Sequence, residues 1–298
     1  MPDLSPRIGG LQRVFCCHSA TLTGRHVPNS LPAVAECVAA GVPRMEVDVR
    51  FLADDAMLIF HDGELDVETT GRGRVDELVR SRVARLRYRE NERVGLCFLE
   101  DVVDLARASR TLLQVDLKLM RPISPGRCRA LEEALRPVAG QVLVGSQAHW
   151  NLRMLRGLPV AIDPTLHWHA DGGRGGLVVP RQRGAHGLWD DAPLAMNARA
   201  TARSYVESRV ADIQGLLPAA TEWMVDIATV EHLAGIGAPL GTILDEYGVA
   251  LAAWTLHESE PDPGARLARL FAAGARTVIT DAPIWAAGCA AALNRARL

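Results

Sequence analysis

Glu46 and Asp48 are two positions apart in residues 45–51, where apolar and charged side chains alternate. Alternation is typical of a β-strand, whose successive side chains point to opposite faces, so both carboxylates share one face. Two residue rises separate them by roughly 7 Å along the strand, which allows them to bind one divalent ion. Alone, such a pair is more often the solvated face of an ordinary strand.

A third carboxylate and a cation occur one predicted βα unit later. Asp116 belongs to the apolar run at residues 111–117, and Lys118 follows two positions after it. Asp116 offers another hard oxygen ligand, and the ammonium group of Lys118 can neutralise a phosphate or hold the carboxylates in place. An ordinary ion pair at a strand end would produce the same pattern.

Two histidines directly follow predicted strands. His18 comes after residues 13–17 and His61 comes after residues 57–60. A single histidine is more often structural than catalytic, but an imidazole can exchange a proton near neutral pH. We therefore expect both imidazoles at the rim that carries the carboxylates, where they can share the acid and base duties of one reaction.

The elements that must position these side chains alternate between short apolar runs and alanine-rich helical stretches. This order is typical of βα units around a parallel sheet. Carboxylates at strand ends favour a single-domain (β/α)8 TIM barrel over residues 1–298, and the doubly wound alternative lacks a GxGxxG after its first strand. Nine short runs are predicted as strands, about the number that an eight-stranded barrel needs, and they are residues 13–17, 45–51, 57–60, 111–117, 142–145, 159–162, 222–227, 249–255 and 277–280. The predicted helices are residues 29–40, 99–108, 125–135, 148–155, 200–216, 263–273 and 284–297.

Two segments depart from the alternation. Residues 62–95 are rich in Gly, Arg and Glu and are predicted to form a long excursion with a small helix. Residues 163–196 combine six glycines with Trp168 and Trp189, and we expect this long loop insertion to be a lid. The histidines within it, His167, His169 and His186, are interpreted as surface loop residues.

The amino-acid composition indicates which kinds of binding partner and which cellular location to expect. The chain has 298 residues, 48% of them hydrophobic, with 33 basic and 35 acidic residues and no charge run of the kind that binds nucleic acid. No apolar stretch reaches the roughly 18 residues of a membrane span and no secretory signal pattern is present, so we expect a cytoplasmic protein. The six cysteines form no CxxC pair and are interpreted as reduced core residues.

A set of short motifs, in order from about residue 14 to about residue 285, resembles the glycerophosphodiester phosphodiesterase family. Each motif alone is weak, but the ordered set is specific. The motifs are HSA at 18–20, PNS at 28–30, EVDV at 46–49, FHD at 60–62, TTGRGRV at 69–75, FLEDVVDL at 98–105, VDLK at 115–118, WTLH at 254–257 and TDAP at 280–283.

The resemblance implies a role for each matching position. It makes His18 and His61 the acid and base pair, and it makes Lys118 a cation beside the phosphate. Glu46, Asp48 and Asp116 would be the ligands of one divalent cation, Mg²⁺ or Ca²⁺. Asn29 would support the site, and Trp254 would form a wall of the pocket, although a core tryptophan fits that position equally well.

The chain also departs from the family pattern. Ser19 stands where the family usually has an arginine that grips phosphate bidentately, and Asp116 stands where glutamate is more common. Arg50, Arg72 and Arg181 are candidates to replace that cation, and the sequence does not rank them. The missing arginine and the Asp-x-Lys motif resemble the sphingomyelinase D branch of the same superfamily, whereas the HD and TTGRGRV motifs favour the hydrolases.

Three functions remain open. The first is metal-dependent hydrolysis of a small glycerophosphodiester-like or lipid-derived phosphodiester to an alcohol and a phosphomonoester. The second is a lyase or phosphotransferase that makes a cyclic phosphate or acts on an unusual substrate. The third is a metabolite-binding barrel without catalysis, which the retained histidines and carboxylates disfavour. The sequence leaves the oligomeric state open.

Overall fold

The computed structural model describes residues 1–164, 201–259 and 262–296. Its main sheet has nine strands, of which eight run parallel and close into a barrel because β3 pairs with both β4 and β11. The barrel strands are β3 (Val14–Cys17), β4 (Arg44–Phe51), β6 (Leu112–Leu117), β7 (Val142–Ser146), β8 (Val160–Ile162), β9 (Ala220–Asp226), β10 (Ala250–Leu256) and β11 (Thr277–Thr280). The predicted TIM barrel is confirmed.

Helices lie between the barrel strands and cover the outer face of the sheet. They are α1 (Leu31–Ala40), α2 (Arg80–Val83), α3 (Leu99–Ala106), α4 (Pro125–Leu135), α5 (His149–Leu152), α6 (Ala202–Leu216), α7 (Ile227–Gly235), α8 (Leu240–Asp245), α9 (Pro263–Ala272) and α10 (Pro283–Ala296). The sequence analysis assigned no helix to α7 or α8. In α1 the Ser30 side chain accepts a hydrogen bond from the Ala33 amide, and Gly41 ends the helix in the left-handed conformation, with φ 64°.

The strand before His61 is not a barrel strand. β5 (Met57–Ile59) pairs antiparallel with the last three residues of β4, so it returns toward the rim from a hairpin that extends beyond it. Both histidines follow predicted strands, but only His18 follows a strand of the barrel. They nevertheless reach the same end of the barrel, because the hairpin brings His61 back to the level of Asp48, whose carbonyl accepts the Phe60 amide at 3.0 Å. A second hairpin, β1 (Arg7–Ile8) with β2 (Leu11–Gln12), precedes the barrel.

Most apolar side chains pack between the strands and the helices, whereas the barrel interior is partly polar. A small interior cluster contains Cys16, Leu143, Ala161, Met224, Ala252 and Ile279. Below it the guanidinium of Arg44 donates two hydrogen bonds to the carboxylate of Glu222, at 2.6 and 2.9 Å, and further bonds to Gln114. Arg44 is 3% exposed and Glu222 is 6% exposed, so this ion pair is buried.

The predicted lid at residues 163–196 lies outside the described residues apart from its first two, Asp163 and Pro164. Trp168, Trp189, the three loop histidines and Arg181 lie outside them too. Within the described part of the chain, no helix is long and apolar enough to cross a membrane.

Candidate functional site

Three carboxylates converge at the end of the barrel where its parallel strands finish. Asp48 on β4 lies in register with Asp116 on the neighbouring β6, and Glu46 precedes Asp48 on the same inward face. One oxygen from each of the three lies within 4.8 Å of the others. The strand alternation that placed Glu46 and Asp48 on one face thus brings them beside Asp116.

The buried position of Glu46 strongly perturbs its carboxyl group. It is 3% exposed, and its Oε1 has no hydrogen-bond partner among the described residues. Burial, followed by the charge of Asp48, raises the pKa of Glu46 to about 8. A buried oxygen without a donor, beside two more carboxylates, fits a cation, and carboxylate oxygens are the ligands that Mg²⁺ and Ca²⁺ prefer.

Asp48 is held in place by Asn29. The Nδ2 of Asn29 donates to Oδ2 of Asp48 at 2.7 Å, and the Asp48 amide donates to Oδ1 of Asn29 at 3.1 Å. Asn29 itself has a positive φ of 57°, a conformation that asparagine tolerates better than most residues. These two hydrogen bonds fix the orientation of the Asp48 carboxylate, so Asn29 supports the cluster structurally.

Lys118 partly neutralises the cluster. Its Nζ lies 2.6 Å from Oδ2 of Asp116 and 3.0 Å from Oδ1 of Asp48. Burial alone would raise the pKa of Asp48, but the charge of Lys118, with the other contacts, lowers it, whereas for Asp116 burial dominates and the pKa is raised. One ammonium group therefore compensates part of the charge of three carboxylates.

Ser19 contributes its backbone to the site. Its amide donates to Oε2 of Glu46 at 2.8 Å, and its φ of 47° turns the chain sharply after β3. The Ser19 side chain is too short to replace an arginine fork.

His18 forms a hydrogen-bonded chain that the sequence analysis missed. Its Nδ1 lies 2.5 Å from Oδ1 of Asp281, and the other carboxylate oxygen lies 2.8 Å from Nδ1 of His257. Burial would lower the pKa of His18, but the hydrogen bond to Asp281 and the charge of Glu46 outweigh burial and raise the pKa to about 9. The available signals were the TDAP and WTLH motifs, which contain Asp281 and His257.

His61 sits in a more open position than His18. Its side chain is 53% exposed, and its Nδ1 lies 2.7 Å from Oδ1 of Asp62. The His61 carbonyl accepts a hydrogen bond from Nε of Arg50 at 2.7 Å, which ties the end of β5 to β4. In both histidines Nδ1 faces a carboxylate, which leaves Nε2 as the nitrogen available to a substrate.

One cavity of about 430 Å³ unites these groups. Its lining includes His18, Glu46, His61, Asp116, Lys118 and Trp254, while Ser19, Asn29 and Asp48 lie behind the wall. All nine side chains selected from the sequence thus lie in or directly beside this cavity. The lining also contains residues to which the sequence analysis assigned no role, among them Gln114, Met120, Gln147, Asp163 and Met224.

The structure places two of the three arginines that were candidates to replace the cation missing at Ser19. Arg50 lines the cavity, whereas Arg72 is exposed and is not among the residues that line this cavity. Arg181 lies outside the described residues. Arg50 is thus the described arginine that faces the site.

Known proteins resemble this chain in sequence. Residues 21–155 match the model of the glycerophosphoryl diester phosphodiesterase family. A curated glycerophosphodiester phosphodiesterase of Bacillus altitudinis is 26% identical over 148 residues, which cover 47% of this chain and 60% of that protein. The chain therefore matches less than two thirds of the length of this relative.

Solved structures match over nearly the whole chain. A glycerophosphodiester phosphodiesterase of Parabacteroides distasonis has a TM-score of 0.64 at 14% identity, covering 95% of this chain and 97% of that one. A phosphodiesterase of Oleispira antarctica, in complex with the product sn-glycerol-3-phosphate, has a TM-score of 0.62 at 14% identity, covering 92% and 95%. At such identities these likenesses establish the fold. Together with the match of residues 21–155 to the family model, they show that the chain is similar to the glycerophosphoryl diester phosphodiesterases.

Proposed function

We propose that this protein hydrolyses a small phosphodiester related to the glycerophosphodiesters, giving an alcohol and a phosphomonoester. The observation that carries the proposal is the convergence of three carboxylates and two histidines on one cavity at the C-terminal end of the barrel. The relative from Oleispira antarctica, in complex with sn-glycerol-3-phosphate, supports a glycerol-containing substrate.

Glu46, Asp48 and Asp116 are the proposed ligands of one divalent cation, Mg²⁺ or Ca²⁺. Their fit rests on the hard oxygen donors and on the buried Oε1 of Glu46, which has no donor within the described structure. When bound, such a cation withdraws charge from a phosphoryl group and makes phosphorus more electrophilic.

The two histidines are the proposed acid and base. One imidazole takes a proton from the attacking water as its oxygen bonds to phosphorus. The other gives a proton to the alcohol oxygen as its bond to phosphorus breaks. Asp281 holds His18 with Nε2 toward the cavity, so His18 keeps one orientation through this transfer.

Lys118 and Arg50 are the proposed cations for the phosphate. Arg50 donates to the carbonyls of His61 and Lys118, at 2.7 and 3.3 Å, and these bonds hold its guanidinium at the cavity wall. A guanidinium fixed in this way can bind phosphate oxygens in the role that the family gives to the arginine replaced by Ser19.

Product analysis tests hydrolysis directly. With Mg²⁺ or Ca²⁺ and glycerophosphocholine or a related diester, phosphorus NMR should show a phosphomonoester resonance and no cyclic phosphate. An internal transfer, which the Asp-x-Lys arrangement at Asp116 also allows, would instead produce a five-membered cyclic ester. Chelation should abolish turnover, and added metal should restore it.

Substitution of the histidines separates catalysis from folding. His18→Ala and His61→Ala should each abolish turnover while the thermal unfolding midpoint of His61→Ala, an exposed position, stays close to that of the parent. His26→Ala is the matched control, because His26 does not line the cavity that contains His18 and His61. Full activity in His61→Ala would rule out the assignment.

A further inference from the structure

A second, smaller recess adjoins the main cavity. It measures about 180 Å³ and is lined by Arg50, Phe51, Gly63, Arg74, Val75, Asp76, Lys118, Leu119, Met120 and Arg121. We call it the arginine recess. Arg50, Lys118 and Met120 line both spaces, so the recess opens beside the carboxylate cluster and one small molecule can occupy both.

The charges of the arginine recess are predominantly positive. It contains three arginines and Lys118 against one carboxylate, Asp76. Asp76 accepts two hydrogen bonds from Arg74, at 2.9 and 3.0 Å, and lies 3.8 Å from Arg121. Lys118 is paired with Asp116 and Asp48, and Arg121 shares Asp76 with Arg74, so Arg50 is the cation of the recess without an ion-pair partner in the described part of the chain.

Arg50 is the fixed member of this set. Its two hydrogen bonds go to backbone carbonyls, and it forms no ion pair within 4.0 Å in the described ranges. The N–H groups of its Nη2 therefore remain available to donate hydrogen bonds to an anion. Arg50 lies on the wall between the two spaces. Arg121 on the far side is 80% exposed and reaches the recess from the loop after β6.

This arrangement suits a phosphate group better than a neutral alcohol. Guanidinium groups bind phosphate oxygens through paired, charge-assisted hydrogen bonds, whereas a neutral sugar or a cationic choline would leave Arg50 without a counterion and Arg121 with only the shared Asp76 carboxylate. We propose that the arginine recess binds a second phosphate group of the substrate, so that the preferred substrate is a phosphodiester whose alcohol part carries a further phosphate. This inference rests on the proposed hydrolysis and names its substrate class.

A pair of substrates that differ by one phosphate tests the inference. Glycerophosphoinositol and glycerophosphoinositol 4-phosphate present the same diester, the second with an additional phosphate. At saturating divalent cation the parent protein should favour the phosphorylated diester in kcat/KM by about tenfold or more, which corresponds to about 1.4 kcal/mol.

Arg121→Glu is the diagnostic variant, because an 80% exposed side chain can be replaced without disturbing the core. It should lower kcat/KM for the phosphorylated substrate by about tenfold or more and change that of the unphosphorylated one by less than about twofold. Arg72→Glu carries the same charge change at an exposed position that lines neither space, and it should leave both values unchanged.

Equal kcat/KM values for the two substrates in the parent protein would overturn the inference while leaving the hydrolysis intact. An equal loss of kcat/KM for the phosphorylated substrate in Arg72→Glu and Arg121→Glu would also overturn the inference. The change of net charge alone would then explain the substrate preference. If neither diester is hydrolysed, the proposed function fails. Calorimetric titration of inorganic phosphate into the metal-free protein then still tests whether the arginine recess binds phosphate. Weaker phosphate binding in Arg121→Glu than in Arg72→Glu would support phosphate binding by the recess, and equal binding would refute it.

Discussion

His18 Nδ1 lies 2.5 Å from Oδ1 of Asp281, although the two residues are 263 positions apart in the chain. The closure of the barrel between β3 and β11 produces this contact, because the two strands pair in parallel and His18 and Asp281 directly follow them. A carboxylate on Nδ1 fixes both the tautomer and the orientation of an imidazole, which leaves Nε2 toward the cavity.

Asp281→Asn should therefore lower kcat by about 10- to 10⁴-fold, between the loss typical for a partner that orients a metal-bound histidine and that for the aspartate of a Ser-His-Asp triad, with little change in KM. Nitrogen NMR of labelled histidine should show that His18 loses its second ring proton at a lower pH in the variant than in the parent, because the Asp281 carboxylate raises the pKa of His18. His257→Gln, which changes the outer member of the chain, should cause a smaller loss. Wild-type kcat in Asp281→Asn would contradict a positioning role.

Cation binding should depend on Glu46 more than on any exposed carboxylate nearby. Binding to the folded state raises the unfolding midpoint, so Mg²⁺ or Ca²⁺ should stabilise the parent protein and should stabilise Glu46→Gln far less. Since burial disfavours the ionised form of Glu46, the metal-free Glu46→Gln variant should be at least as stable as the metal-free parent at neutral pH.

Asp62→Asn is the control for this comparison. Asp62 is half-buried and contacts His61, but it does not belong to the group of three carboxylates. Its midpoint shift on addition of cation, measured by differential scanning fluorimetry, should equal that of the parent. Equal shifts in Glu46→Gln and the parent would exclude Glu46 as a ligand.

Lys118 should oppose cation binding while supporting turnover. Its Nζ lies within 3.0 Å of both Asp48 and Asp116, so it neutralises part of the negative charge that would otherwise attract a divalent ion. In Lys118→Met we expect cation affinity to rise by about tenfold, or roughly 1.4 kcal/mol, and kcat to fall because a cation beside the phosphate is lost. Calorimetric titration measures the first effect, and weaker cation binding in the variant would refute it.

A pH-dependent contribution to stability should come from Glu231 on α7. Burial would raise the pKa of this carboxyl, but hydrogen bonds from Arg266 and Arg269 on α9 lower it below its ordinary value. A lowered folded-state pKa stabilises the fold at pH values above the unfolded-state pKa, and the contribution is lost as pH falls through the folded-state value.

Glu231→Gln should therefore reduce the free energy of unfolding by about 1–2 kcal/mol at pH 7, and the difference from the parent should shrink below about pH 4. Urea denaturation at several pH values measures this difference. Asp104→Asn, an exposed partner of Arg107, is the control and should have little effect at any pH. A difference that grows on acidification would contradict the assignment.

The buried pair of Arg44 and Glu222 predicts a large effect on stability. Arg44→Met would leave the Glu222 carboxylate inside the barrel without its cation, and we expect a loss of about 3–5 kcal/mol in the free energy of unfolding. Replacing both residues by Met and Leu should recover much of this loss, because no uncompensated charge then remains. Equal stability of the single and double variants would exclude this explanation.

The strands and the carboxylates could be predicted because their signals are local. Alternation in residues 45–51 places Glu46 and Asp48 on one face of a strand, and β4 spans Arg44–Phe51 in the structure. Helices α7 and α8 escaped prediction. Their close packing is visible only in the structure. Gly241 of α8 lies so close to the Ala273–Gly274 backbone that a Cβ added at Gly241 would come within 2.6 Å of backbone atoms there.

The sequence by itself determined the repeated βα pattern, the family motifs and the types of side chain in the cluster, since each of these depends on residues a few positions apart. The tertiary structure decided which distant groups meet. It brought Asp281 to His18 through barrel closure, returned His61 to the rim through an antiparallel hairpin, and placed Arg50 on the wall between two cavities. These contacts join residues on different strands, and only strand register and the closed sheet determine them.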